Sequence, residues 1–349
     1  MNKKVDINYD LSLVIPFFNR EVFVIDILEA IDKENCILKL NMEILFVDSN
    51  SCKNLINIVS SFYNKSQITI NVLNTENNAG KKRNIGIYSA KSNNIICIDD
   101  DCIPGENFIK FHFDRLKITR EEKIIYSGIV YFPEELCRLS NYYKFRNYRH
   151  RVYDDIYLSN KDIDFHNFIT MNMSFKKNEI INSNLFFDSE YTTYGLEDTQ
   201  FGLDAIKKGF ALKTCLAPII HQESTSIDLF ELKIRNFAQN YFFIFYKKNQ
   251  EYLNKHHKLK INTQSLVSHR SLIKIAEIYD NTKNYFPIII KILKIVPFFL
   301  KPISFMIKMF LKASDKKRDL YFFWMYKLLI ILTIVSTLFD KKLRTKNFI

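Results

Sequence analysis

The sequence predicts an α/β layered sheet followed by a basic helical region, and three observations lead to it. In the first hundred residues, short apolar runs alternate with longer amphipathic stretches, the pattern of strands joined by crossover helices. The apolar runs end on polar residues, at the carboxyl edge where such sheets take their ligands. The charge balance then breaks. Residues 1–220 carry 27 Lys+Arg against 29 Asp+Glu, whereas residues 221–349 carry 23 against 9. The expected division is a sheet domain over residues 1–225 and a basic, apolar helical region over residues 226–349.

The elements follow in order. Residues 11–16 (LSLVIP) form a strand candidate, and Val22, Ile25, Leu28 and Ile31 give helical periodicity after it. Residues 43–48 (EILFVD) read as a second strand, 53–63 as a helix, and 68–73 as a third strand. Residues 81–90 read as a helix and 94–99 (NIICID) as a fourth strand. Further on, residues 124–131 and 168–175 have strand character, and a helix runs from residue 194 to Lys208, closed by Gly209. The polar run ends belong together: Asn19 and Arg20, Asp48 to Ser51, Asn77 to Gly80, and Asp99 to Asp101.

Length and composition bound the class. A chain of 349 residues, 47% hydrophobic and 25% charged, has ordinary globular make-up. Its 7 glycines all lie between Gly80 and Gly209, which excludes collagen-like and Gly-rich low-complexity chains. The 6 cysteines show no CxxC pair and no Cys/His metal spacing, so neither a zinc ribbon nor a redox motif is indicated. MNKKVDINYD lacks the apolar run of a signal peptide, and a cytoplasmic chain with reduced thiols is expected.

Asp99-Asp100-Asp101 is the sharpest local signal. Three adjacent carboxylates at a semi-buried strand end repel one another unless a cation joins them, and a hard ion such as Mg²⁺ or Mn²⁺ with phosphate oxygens would do so. A solvated acidic turn before Pro104 is the alternative. Asn78-Ala-Gly80-Lys-Lys-Arg83 places a glycine and three cations at a helix start, suited to a diphosphate or to an ordinary basic helix end. No Walker P-loop is present.

VIPFFNR, EILFVDSNS, NNAGKKRNIG, IICIDDD and GLEDTQFG, in this order and spacing, resemble the family 2 glycosyltransferases of the GT-A fold over roughly residues 10–222. The resemblance implies that Pro16 and Asn19 shape the donor pocket rim, that Asp48 contacts the base or ribose, and that Arg83 lies near the nucleotide. It implies that Asp99, Asp100 and Asp101 form the acidic donor motif, with Asp101 and Asp99 on the metal. Ser49-Asn50 departs from the Asp-Gly of many members, so a second carboxylate for the base is missing; UDP is the expected nucleotide.

In the second half, RLSNYYKFRNYRHR (138–151) interleaves bases with aromatics. Packing on the sheet, contact with a sugar or lipid-linked acceptor, and nucleic-acid stacking all use such residues. Asn172 matches the family's strand before the acceptor site. Glu197 and Asp198 favour a helix dipole, and the resemblance adds that an ED pair here is the catalytic-base motif of inverting members. Asp198 is then the base and Glu197 holds the acceptor. His221 is either a packed histidine or, as in several subfamilies, the residue that closes the metal site.

Beyond His221 the chain turns helical. Residues 228–248 place Phe230, Phe237, Tyr241 and Phe245 on one side, and residues 252–262 read as a loop. Lysines at 291, 294, 301, 308 and 312 fall on one stripe against an apolar face, the pattern of an interfacial helix. Pro297 and Pro302 predict two short helices there. Residues 315–319 read as a linker, and residues 320–339 have only Lys327 charged, long enough in principle to span a bilayer. A buried cap explains the apolar faces but not the charge, whereas attachment to an anionic cytoplasmic leaflet explains both. Lys341, Lys342, Arg344 and Lys346 oppose a true crossing.

The implied protein is a metal-dependent (Mn²⁺ or Mg²⁺), inverting glycosyltransferase. It would move one sugar from a nucleotide-sugar donor to a glycan or lipid-linked acceptor at the inner face of the cell membrane. No nucleic-acid partner is expected. The QxxRW signature of processive synthases is absent, and the single tryptophan, Trp324, sits in FFWM. A sugar nucleotidyltransferase would need a Gly-rich loop after the first strand, where VIPFFNREVF has none. A non-catalytic membrane or nucleic-acid binder is the remaining alternative.

Overall fold

The computed structural model describes residues 8–50, 54–63, 68–119, 122–151, 162–165, 167–192, 196–223, 225–255, 287–317 and 320–338. The chain divides into two compact units. One comprises residues 1–133, 153–193 and 197–223; the other comprises residues 134–152, 194–196 and 224–349.

The first unit is built on an eight-stranded sheet in the order β3-β2-β1-β4-β7-β6-β8-β5. β1 (Leu11–Pro16), β2 (Met42–Asp48), β3 (Thr69–Asn74) and β4 (Asn94–Ile98) are parallel neighbours. Crossover helices α1 (Val24–Leu38), α2 (Leu55–Tyr63) and α3 (Ala79–Ser89) join them. β5 (Cys102–Pro104), α4 (Phe108–Ile118) and β6 (Ile124–Tyr131) follow. Beyond the excursion at 134–152 come β7 (Asn172–Lys176), α7 (Lys177–Asn182), α8 (Glu197–Lys207) and β8 (Ala211–His221). β7 runs antiparallel to β4 and β6, and β8 is parallel to β6. This is the mixed, helix-flanked sheet expected of the GT-A fold.

Period-two alternation sets the two faces. Leu11, Leu13 and Ile15 join Met42, Ile44 and Phe46 in a core shared with Ile27, Leu28 and Ile31 of α1 and Phe108 and Leu116 of α4. Val14 and Val47 face the other way, onto α3. A Cβ at Gly86 would lie 2.3 Å from the Val14 Cγ1, so only glycine lets α3 approach this closely. The buried phase of α1 is Val24, Ile27, Leu28 and Ile31. Val22 and Ile25 are exposed, because a 3₁₀ turn at Glu21–Phe23 precedes α1 and moves its register off the expected phase.

A polar node crosses the centre of the sheet. His112 of α4 is fully buried; its Nε2–H donates to Asn172 Oδ1 at 2.8 Å, and Ser174 Oγ–H donates to its Nδ1 at 2.8 Å. Asn172 Nδ2 donates to the carbonyls of Ile129 and Ala217. Asn172 therefore ties β6, β7 and β8 together within the sheet.

The second unit is helical. α5 (Glu134–Leu139) and α6 (Asn141–Arg151) come from the excursion. α9 (Ile227–Asn236), a π-helical turn at Phe237–Tyr241 and α10 (Phe242–Lys255) form one continuous rod. α11 (Pro287–Ser314) and α12 (Phe323–Leu338) follow. The aromatics of 138–151 serve packing: Phe145 stacks on Tyr326 at 4.5 Å and meets Phe230 at 6.1 Å. Asp315 caps α6, accepting from Tyr142 N at 2.8 Å and from Ser140 Oγ at 2.9 Å.

The two expected short helices are one. α11 runs through both Pro297 and Pro302 and packs on α12. α12 buries Leu329, Ile330 and Ile334, so the apolar run of 320–339 is mostly a packing helix. Among the described residues no helix is long and apolar enough to cross a membrane. The expected loop at 252–262 begins as helix, since α10 continues to Lys255, and its remaining residues lie outside the described ones, as do Lys341, Lys342, Arg344 and Lys346.

Candidate active site

The turn after β4 carries the acidic run. Cys102 N donates to the Asp99 carbonyl at 3.1 Å and closes it. β5 then pairs with the end of β8, with Cys102 opposite His221, and Gln222 N donates to the Asp101 carbonyl at 2.7 Å. Strand pairing thus brings together two residues 120 positions apart in sequence: His221 Nε2–H donates to Asp101 Oδ2 at 3.2 Å.

The loop after β1 completes this corner. Asn19 takes the left-handed conformation (φ 53°), which turns the chain so that Phe18 N donates to Asp100 Oδ2 at 2.6 Å. Arg20 Nη1 lies 2.6 Å from Asp100 and 2.9 Å from Asp101. Burial works against the charge of Arg20, but Asp101 and Asp100 outweigh it and raise its pKa. Burial lifts Asp100 to about 6 despite Arg20. Asp101 is equally buried, yet the bond and charge of His221, with Arg20, bring it down to about 2.

A second cation organises the other side. Arg83 on α3 is buried, donates from Nη2 to Asp99 Oδ1 at 2.5 Å, and lies over the Phe187 ring at 5.3 Å. Against the cost of burial, Asp99, Asp198 and Glu197 raise its pKa in that order. Asp198, in the first turn of α8, accepts from Thr170 Oγ1. Burial raises the Asp198 pKa, while Arg83 and Thr170 pull the other way. Arg83 Nε and Nη1 are buried with no partner, so two donors of this guanidinium remain unspent.

The remaining expected residues converge on the same edge. Pro16 ends β1 and Asp48 ends β2, buried beside it. Lys82 is pulled under this corner: its Nζ donates to the Phe17 carbonyl at 2.6 Å. Burial lowers its pKa, while Asp48 and Asp100 oppose the shift. Asn78 caps α3, accepting from Lys81 N at 2.9 Å, so that helix end serves its own backbone. Lys81 pairs with Glu76. Gathered in the sheet unit are therefore Pro16, Asn19, Asp48, Arg83, Asp99, Asp100, Asp101, Glu197, Asp198 and His221; Ser51 and residues 194–195 lie outside the described residues.

Two side chains that contact these carboxylates are not marked by the sequence pattern. Arg20 stood only as a polar run end, and Thr170 in FITMNMS gave no signal beyond its place before a strand.

Asp101, Cys102 and His221 offer ligand atoms within 4.8 Å of one another. A hard divalent cation takes oxygen and imidazole ligands, not a thiol, and burial with three neighbouring carboxylates raises the Cys102 pKa well above its usual value. Asp101 is an ionised carboxylate, and His221 Nδ1 is buried without a partner. These two fit a divalent cation, which would share Asp101 with Arg20.

Residues 12–178 match the model of the family described as Glycosyl transferase family 2. Among curated proteins, the glycosyltransferase GlyG of Streptococcus pneumoniae is 30% identical over 117 residues, covering 33% of this chain and 38% of GlyG. The poly(ribitol-phosphate) beta-N-acetylglucosaminyltransferase TarS of Staphylococcus aureus is 26% identical over 91 residues, 26% of this chain and 16% of TarS. The chain thus spans well under half the length of these relatives. Among solved structures, S. aureus TarS 1-349 aligns with a TM-score of 0.47 at 14% identity, covering 92% of this chain and 90% of that one. Its complex with UDP-GlcNAc aligns equally.

Proposed function

We propose that this protein transfers a single sugar, hexosyl or N-acetylhexosaminyl, from a UDP-sugar to a hydroxyl of a glycan or lipid-linked acceptor during surface polysaccharide synthesis. The transfer is inverting and takes place at the cytoplasmic face of the cell membrane. Support for the chemistry comes from the match of residues 12–178 to a glycosyltransferase family model. The names of GlyG and TarS support the substrate class.

The observation that carries the reading is the buried Arg83, paired with Asp99 and close enough to Asp198 for that carboxylate to raise its pKa. Arg83 keeps an acidic turn and a helix-borne carboxylate in one neighbourhood while holding two donors free for an anion. In the proposed step Asp198 accepts the proton of the acceptor hydroxyl as that oxygen attacks the anomeric carbon. The sugar–phosphate bond breaks, and the nucleoside diphosphate leaves toward Arg83 and Arg20. Glu197, one residue before the base, orients the acceptor. Asp48, Pro16 and Asn19 seat the nucleoside. Asp101 and His221, with Asp99 beside them, would hold Mn²⁺ or Mg²⁺, which when bound offsets charge on the departing diphosphate.

The test is a calorimetric titration of the full chain with a panel of nucleoside diphosphates, with and without Mn²⁺. The expected result is metal-dependent binding of UDP that is lost in Asp101→Asn. Folded protein that binds no nucleotide would overturn the reading.

A further inference from the structure

We infer that the exposed face of α11, extended by Trp324, is the surface with which this protein lies on an anionic phospholipid bilayer. The inference deepens the membrane partner of the function proposed above and is independent of the sugar-transfer chemistry.

The helix is inside out for an aqueous surface. With 3.6 residues per turn, Pro297, Ser304, Leu311 and Ser314 fall on the buried side of α11. The opposite arc carries Phe298, Phe299, Phe305, Met306, Met309 and Phe310, each between 40% and 76% exposed. An apolar run of this kind on one face marks an interaction surface, because scattered single hydrophobes do not line up along a helix. The patch continues beyond the helix. Phe310 meets Phe322 at 5.8 Å, and Phe322 meets Trp324 at 6.5 Å, with Trp324 itself 59% exposed. An indole at the edge of an apolar patch suits the interface between acyl chains and headgroups.

Charge selects the occupant. Residues 287–317 contain seven lysines and one acidic residue. Lys301, Lys308 and Lys312 lie along one edge of the apolar arc, at helical spacing. Lys308 pairs with Glu231 at 2.6 Å and Lys312 with Asp228 at 2.7 Å, which fixes α11 on α9 and sets the direction its free face points. Two copies packed through this face would bring two such basic helices together, whereas an anionic leaflet complements them. None of the described helices is apolar and long enough to cross a bilayer, so α11 lies in the plane of the interface.

The chain has 1 tryptophan, which makes Trp324 a native reporter. The full-length protein is mixed with vesicles of phosphatidylcholine alone or with about a third phosphatidylglycerol. Flotation and tryptophan emission are read on each, the latter also with brominated acyl chains. The expected result is binding to the anionic vesicles with a blue-shifted Trp324 emission quenched by the brominated lipid. Phe305→Gln/Met306→Gln/Met309→Gln is expected to weaken that binding at least about tenfold while its thermal melt stays unchanged. Flotation of the triple variant equal to wild type, or binding without a change at Trp324, would overturn the inference. So would a dimer in sedimentation that the triple variant abolishes, because the face would then belong to a second copy. Nucleotide titration of the same samples separates the two readings: vesicle binding without nucleotide binding leaves the docking face intact and removes the transferase.

Discussion

In the sheet unit Arg83, Asp100 and Asp101 are buried, and each meets an opposite charge. In the helical unit the pairs of Lys312 and Lys308 with Asp228 are partly in water, while Phe298 and Met306 stand exposed. The sheet unit gathers buried charge at one edge, whereas the helical unit buries one such pair, Lys308 with Glu231, and lines up exposed apolar side chains along a single helix. Burying carboxylates is costly unless cations and hydrogen bonds compensate, so a chain that buries this many at one sheet edge has built a site for charged chemistry. Exposing a row of large apolar side chains has no use in water, so it marks a surface for something else.

The contrast is sharpest for the ion pairs. Arg83→Met leaves Asp99 and Asp198 facing each other without their shared cation, and a loss of about 3 to 5 kcal/mol in urea unfolding is expected. Arg83→Lys does not restore it, because an ammonium lacks the planar group that pairs with Asp99 while lying over the Phe187 ring.

The polar node of the sheet gives a pH signature. Burial pushes His112 down to about 4 from an ordinary 6.5, so the folded protein refuses a proton that the unfolded chain accepts. Its contribution is complete above about pH 6.5 and is lost as pH falls toward about 4, by about 3 kcal/mol. Unfolding free energies at neutral and acid pH should fall less steeply in His112→Gln than in the wild type. Parallel slopes would show that His112 is protonated in the folded state.

Gly86→Ala forces α3 away from Val14 and is expected to cost about 1 to 3 kcal/mol in the melt. At the small end, Lys312→Gln should change stability by about 0.5 kcal/mol or less, since its partner Asp228 is half exposed. A loss comparable to that of Arg83→Met would erase the distinction between the two units.

What was legible in the sequence follows the same line. Asp99 to Asp101, Asp198 and His221 announce themselves by residue type and position at run ends, and strand pairing then brings Asp101 and His221 together. Arg20 does not, because its partners are set by how the loop after β1 folds back over a turn 80 residues later. Asn172 is legible as a residue but not as a structural one, because its role depends on His112, which α4 carries into the centre of the sheet with Phe108, Ile109 and Leu116 on its buried side. In α11 the prolines suggested a break. Its packing against α12 and its pairs to α9 lie beyond any local pattern.

The most direct test of the site is Asp198→Asn. The variant keeps size and shape and removes the proton acceptor. Nucleotide release is followed from the donor that binds in titration, with a membrane-glycan extract as acceptor, alongside binding of the same nucleotide. The site predicts release slowed about a thousandfold, with nucleotide affinity within about twofold of wild type. In the wild type, burial of Asp198 predicts that the rate falls at acid pH above the ordinary carboxylate range, since the base must be ionised to act. Release in Asp198→Asn within about tenfold of wild type would contradict the assignment.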